Sequence, residues 1–155
     1  MLKADKKLEK KIMKEENEMA YLSSAMFNDE PNGYSNEYIT TYFYRIHLEA
    51  KNASENAVET YIKNFREKNP DAEYGEPTYC GFAWVRVFDI KLNTKLGKNM
   101  KKYGFERFWT KGSIFLWNPS NYSGQSMDVK ECGAIAYAEV LRKYGFKAYM
   151  GSKPD

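Results

Sequence analysis

The sequence predicts an α+β protein with a mixed or antiparallel sheet, helices mainly on one face, and the element order α-β-α-β-α-β-α-β. Three observations carry that expectation. Tyr79 to Ile90 is nearly continuous in apolar residues, with Phe82, Trp84, Arg86 and Phe88 on one face and Ala83, Val85 and Val87 on the other, as in a central strand. Val129, Gly133, Ala136, Tyr137, Val140, Leu141 and Tyr144 recur at helical spacing. Gly, Pro and Asn punctuate the chain into short alternating segments.

The elements follow in order. Residues 1–20 mix charges of both signs with Leu8, Ile12 and Met19, a weakly amphipathic helix within an arm over 1–27. Residues 28–36 form a loop of turn residues that opens a single ligand-binding domain over 28–155. Tyr38 to Glu49 is dense in aromatic and β-branched residues and reads as a strand. Asn52 and Ser54 then cap a helix whose face is Val58, Tyr61, Ile62 and Phe65, stopped at Asn69-Pro70. After the strand over Tyr79–Ile90, Thr94 to Tyr103 makes a short helix with Leu96, Met100 and Tyr103 inward and Gly104 as its stop. Phe105 to Trp117 is extended, with a hairpin turn near Lys111-Gly112. The last helix starts at a capping box of Asp128 and Glu131 and stops at Gly145, and Phe146 to Gly151 returns as a strand. Lys101-Lys102-Tyr103-Gly104-Phe105 recurs as Arg142-Lys143-Tyr144-Gly145-Phe146, one helix stop used twice.

Composition narrows the function. With 24 basic and 21 acidic residues the net charge is only +3, too mixed for a duplex-DNA field, while a small anionic ligand needs only a few local cations. Cys80 and Cys132 form no CxxC and read as buried, reduced thiols of an intracellular protein. No apolar stretch approaches the length of a membrane span, and no signal-peptide core is evident, so the expected location is cytoplasmic. His47 is the single histidine, which rules out two-histidine metal sites and histidine pairs. No phosphate-cradling glycine motif is present. The expectation is a protein that binds rather than an enzyme, without a cofactor.

Three features stand out as candidate contacts. Arg86 is a charge inside the most apolar strand, and it requires either a carboxylate such as Asp89 or Glu139 or an anionic ligand. Phe115 and Trp117 lead into a loop with Asn121 and Gln125, where aromatics can stack on a base and amides can read its edge. Lys153 and Asp155 follow the last strand closely enough for that strand to fix them.

Four segments carry a resemblance: KLGKNMKKYGF (95–105), W-N-P through GQSMDVKE (117–131), AEVLRKYGF (138–146) and AYMGSKPD (148–155). Together they resemble the phage anti-Thoeris sponges, which sequester cyclic ADP-ribose signals made by bacterial TIR-domain proteins. The resemblance covers the C-terminal half. It implies a non-catalytic protein that binds the nucleotide intact, between protomers of a homo-oligomer, a dimer or a larger assembly such as a hexamer. It implies phosphate contacts from Arg86 and Arg142, an aromatic plate at Phe115 or Trp117, an adenine contact at Asn121, and a basic–acidic pair at Lys153 and Asp155. Lys at 153 departs from the arginine of that pattern, and Pro154 separates the pair. The alternative is a phage module that inhibits a host enzyme by direct protein contact through its Tyr-rich surface.

Overall fold

A computed structural model describes residues 36–155, Lys111 excepted. The expected N-terminal helix, the arm over 1–27 and the loop up to residue 35 lie outside the described residues. Helix α1 (Asn36–Lys68) runs for 33 residues. Its buried positions are Ile39, Tyr42, Phe43, Ile46, Ala50, Ser54 and Val58, three or four apart except for the adjacent pair Tyr42 and Phe43, which is one helical stripe. The strand expected over Tyr38–Glu49 is therefore corrected to helix. Of the residues that suggested alternation, Tyr44 and Leu48 are 51% and 45% exposed, while Phe43, on the opposite face of the supposed strand, is fully buried. Strand propensity of aromatic and β-branched residues yields to burial of the 3.6-period stripe. Asn52 and Ser54 accordingly lie inside the helix rather than at its cap. The Ser54 hydroxyl donates to the Gly133 carbonyl at 2.7 Å and ties α1 to the last helix.

The remaining elements are β1 (Gly81–Phe88), α2 (Lys95–Lys102), β2 (Glu106–Arg107), β3 (Ser113–Trp117), α3 (Met127–Lys143) and β4 (Lys147–Pro154). The sheet order is β2-β3-β1-β4, and every neighbouring pair is antiparallel. From β1 onward the chain is a β-α-β-β-α-β unit, a split βαβ arrangement with β1 and β3 in the centre. The protein is α+β with a wholly antiparallel sheet; the expected strand ahead of β1 is absent from the described order.

Both helix stops use one device. At α2 the Gly104 N–H donates to the Lys101 carbonyl and the Phe105 N–H to the Met100 carbonyl; at α3 Gly145 donates to Arg142 and Phe146 to Leu141. Gly104 and Gly145 have φ of 103° and 90°, the left-handed conformation that this double bond pattern needs. Phe105 and Phe146 are then delivered into the core. Thr94 caps α2 by accepting from the Gly97 N–H. At α3 the expected Asp128–Glu131 capping box is not formed: Ser126 is the cap residue and its hydroxyl makes no capping bond. The segment just ahead of β1 takes that role, since the Tyr79 carbonyl accepts from the Met127 N–H.

The core joins Phe43, Ile46 and Ala50 of α1, Ala83, Val85 and Val87 of β1, Ile114 and Leu116 of β3, Tyr137, Ala138 and Leu141 of α3, and Ala148 of β4. His47 sits beside it, tilted by 32° against Tyr103 with ring centres 4.3 Å apart and hydrogen-bonded through Nδ1 to the Tyr137 hydroxyl at 2.7 Å. Burial first, and nearby Lys51 second, push its pKa down to about 4.

Two predictions follow from these contacts. Gly104→Ala and Gly145→Ala each lower stability by about 1–2 kcal/mol, because a side chain resists the left-handed conformation, and Gly145→Asn loses less; chemical denaturation measures the series. The unfolded chain binds a proton at His47 near pH 6.5 and the folded chain near 4, so stability falls as pH drops through that window. The melting temperature of His47→Gln should therefore decline less between pH 7 and pH 5 than that of the unsubstituted protein.

Candidate ligand-binding face of the sheet

Strand β1 has two apolar faces, and among the described residues helices pack on only one of them. The other face carries Phe82, Trp84, Arg86 and Phe88 of β1. The registers place Ser113, Phe115 and Trp117 of β3 opposite Phe88, Arg86 and Trp84. On the other flank Lys147, Tyr149, Gly151 and Lys153 of β4 stand opposite Phe88, Arg86, Trp84 and Phe82. Residues directly opposite in an antiparallel pair share a face. Arg86, Phe115, Trp117 and Lys153, expected contacts from sequence, are thus brought to one surface.

Among the described residues Arg86 is held without an acid. Its Nε donates to the Ser113 hydroxyl at 2.8 Å and its Nη2 to the Thr110 hydroxyl at 2.6 Å. The guanidinium lies 4.4 Å from the centre of the Phe88 ring and 4.2 Å from that of Phe108. Neither acid considered as a partner serves: Asp89 pairs with Lys147 at 2.7 Å, and no described residue joins Glu139 to Arg86. Two ring faces and two hydroxyls fix the orientation of the guanidinium, and among the described residues no carboxylate pairs with it. Among the described residues only two of its five N–H donors find a partner.

The aromatic residues around it form a connected surface. Trp109 stacks on Phe108 at 3.9 Å and meets Phe115 edge-on at 6.2 Å, while remaining 72% exposed. Trp84 lies parallel to Trp117 within 7° at 5.9 Å. Trp84 can lie flat because Gly151 stands opposite it: a Cβ there would come within 2.4 Å of the indole Nε1. Trp117 and Tyr149 are 49% and 54% exposed.

No protein-family model, curated protein or solved structure matches this chain.

The other expected contacts are placed elsewhere. Arg142 reaches from α3 to the edge strand, where its Nη1 donates to the Ala148 carbonyl at 2.6 Å and its guanidinium lies 5.4 Å from the Tyr149 ring. It covers a carbonyl of β4, the long edge strand, and so guards that edge. Asn121 is exposed in the turn after β3, with φ of 55° and its N–H donating to the Asn118 carbonyl. Gln125 lines a recess of about 180 Å³ with Tyr74, Glu76, Pro77, Thr78 and Cys80. There the Glu76 carboxylate accepts from the Gln125 N–H at 3.2 Å and from the Tyr122 hydroxyl. Burial and that bond push the Tyr122 phenol up to about 12. Asp155 is exposed, and its backbone N–H donates to the Cys80 carbonyl, so the strand does fix the chain beyond Pro154. Cys80 itself is exposed, which corrects the expectation of two buried thiols.

Sequence reasoning missed Phe108, Trp109, Thr110 and Ser113. Their signal was an aromatic pair beside a hairpin turn, where small polar residues are the norm. Among the described residues no cluster of three or more His, Cys, Asp or Glu side chains comes together, and no helix is long and apolar enough to cross a membrane.

The two arginines should separate in a stability measurement. Arg142→Met strips a carbonyl partner from the edge strand and should cost about 1 kcal/mol. Arg86→Met should change stability less than that, because it releases hydroxyls that water can satisfy; denaturant unfolding of both variants checks the order.

Proposed function

We propose that this protein is a non-catalytic, phage-type sponge that binds and sequesters a cyclic ADP-ribose-like nucleotide in the bacterial cytoplasm and so inhibits an anti-phage response. The observation that carries the reading is Arg86, a pre-oriented guanidinium on an aromatic sheet face with hydroxyl partners and no acid among the described residues. A nucleotide presents the two complements such a surface takes, a phosphate for the guanidinium and a base for a ring. In this reading the phosphate meets Arg86 and the base lies against Phe115 and Trp109. The resemblance of the C-terminal half names the ligand class.

An effective sponge needs nanomolar affinity, on the order of −12 kcal/mol. One stacked base at roughly 1–3 kcal/mol and a pair of charge-assisted bonds fall short of that. An open sheet face also leaves one side of the ligand in water. A second copy of the chain closing over the face would desolvate these contacts, which supports a homo-oligomer as the binding form. A second reading is a protein-binding module acting on a host enzyme, favoured by the exposure of Trp109, Tyr149 and Trp117 together.

Calorimetric titration with cyclic ADP-ribose isomers tests the proposal. Tight binding is expected, with intact ligand recovered after heat release. Arg86→Ala should weaken it by about 1.5–3 kcal/mol, roughly ten- to 150-fold. Recovery of a hydrolysed product, or no heat with any isomer while the protein captures a single host enzyme, would favour the competing readings and sink this one.

A further inference from the structure

Arg86, Phe115 and Trp109 occupy only one end of the open face. The opposite end repeats the same chemistry with different residues. Phe82 and Trp117 lie 5.2 Å apart, tilted by 36°, and Trp117 keeps half of its surface exposed. Lys153 stands opposite Phe82 in the register, so its side chain leaves the sheet on the same face. Lys130 comes from the first turn of α3, with its ammonium 5.3 Å from the centre of the Phe82 ring. It is only 8% exposed and donates to the Gly81 carbonyl at 3.0 Å. That bond uses one of its three donors, and among the described residues no carboxylate pairs with it. A mostly buried ammonium with no acid beside it is costly to keep and favours an incoming anion.

Each end of the face therefore has an aromatic plate and a cation without an acid partner. Phe82 and Arg86 are four residues apart on β1, which is roughly 13 Å along the strand. Trp84, packed flat across Gly151, forms the floor between them. A single mononucleotide at Arg86 leaves the Phe82–Trp117 end empty. A duplex hides its base faces from such plates, whereas a single strand offers them in succession.

We propose that the sheet face holds two stacking-plus-cation stations and takes a linear single-stranded nucleic acid of at least two nucleotides, one base on each station. The first station is Arg86 with Phe115 and Trp109; the second is Trp117 and Phe82 with Lys153 and Lys130. This rests on the reading of the Arg86 end as a nucleotide site and extends it to the class of ligand that fills the whole face. The arrangement puts plates on β1 and β3, the two central strands, where a chain of bases can cross the sheet while the basic residues hold its phosphates.

The test is a fluorescence titration of the full chain with 5′-phosphorylated deoxyadenylates of one, two and four nucleotides, repeated across a salt series. Trp117→Ala and Lys153→Ala are measured beside the unsubstituted protein, with thermal melts as a folding control. Lengthening from one nucleotide to two or four should tighten binding about five- to 150-fold. The log–log salt slope should steepen by about 0.7 for each added phosphate held. Both substitutions should weaken the two- and four-nucleotide complexes more than the mononucleotide complex and so remove the gain with length. Equal affinity for one, two and four nucleotides overturns the two-station proposal and leaves the Arg86 reading standing. Equal weakening of all three lengths by Trp117→Ala means one shared station and also overturns it. Absence of binding to every length overturns this proposal, while the cyclic ADP-ribose titration separately decides the Arg86 reading. Should Trp117→Ala melt early, the exposed Lys153→Ala variant decides the outcome.

Discussion

The organisation of this protein depends on the double-sided character of β1. Ala83, Val85 and Val87 are sealed beneath α3, on which α1 packs in turn, while Phe82, Trp84, Arg86 and Phe88 rise on the other face. The small and β-branched side lets α3 approach the sheet closely, with Ala134 and Ala138 buried on that helix, while Gly133 admits Val58 of α1 and Ser120 on another side of it. The large side then has no helix among the described residues to bury it. Its rings pack on one another instead, edge to face and in parallel, from Phe82 to Trp109. A strand sequence that is apolar on both sides thus yields a core on one and an aromatic surface on the other.

That surface explains the treatment of Arg86. A guanidinium in the middle of a sheet face is tolerable when rings cover its two planes and hydroxyls take part of its rim. An internal acid would have compensated its charge; hydroxyls orient it without doing so. Arg142 illustrates the contrast, since its donor is spent on the Ala148 carbonyl at the sheet edge. Two arginines that look equivalent in the sequence therefore have different prospects as ligand contacts. The same logic separates Gln125 and Asn121, held in loops at the end of the sheet, from Lys153, which the β1–β4 register delivers to the face.

Much of the fold was legible because local chemistry and tertiary need agreed. The Tyr-Gly-Phe echo marked two helix stops, and both formed with the same bond pattern. The strand at 81–88 and the helix at 127–143 had apolar patterns long enough to be decisive. Tyr38–Glu49 failed because its residue types favour strands, while its true signal was the spacing from Ile39 to Val58, visible only over a longer window. The capping box at Asp128 failed because Tyr79, just ahead of β1 and distant in sequence, supplies a carbonyl to the helix start. In the site, Arg86, Phe115 and Trp117 could be read from alternation alone. Phe108, Thr110 and Ser113 could not, since they approach Arg86 only when β3 pairs with β1 and carries the β2–β3 connection to its side.

The central claim is that an uncompensated Arg86 on an aromatic sheet face captures a nucleotide. The most direct measurement is a nitrogen-15 NMR titration with cyclic ADP-ribose that follows the Arg86 Nε–H and the three indole N–H signals together. The Arg86 and Trp109 resonances should shift in step and saturate, while the amides around His47 and Tyr137 stay in place. Shifts confined to the recess lined by Tyr74, Glu76 and Gln125, with Arg86 unmoved, would contradict it.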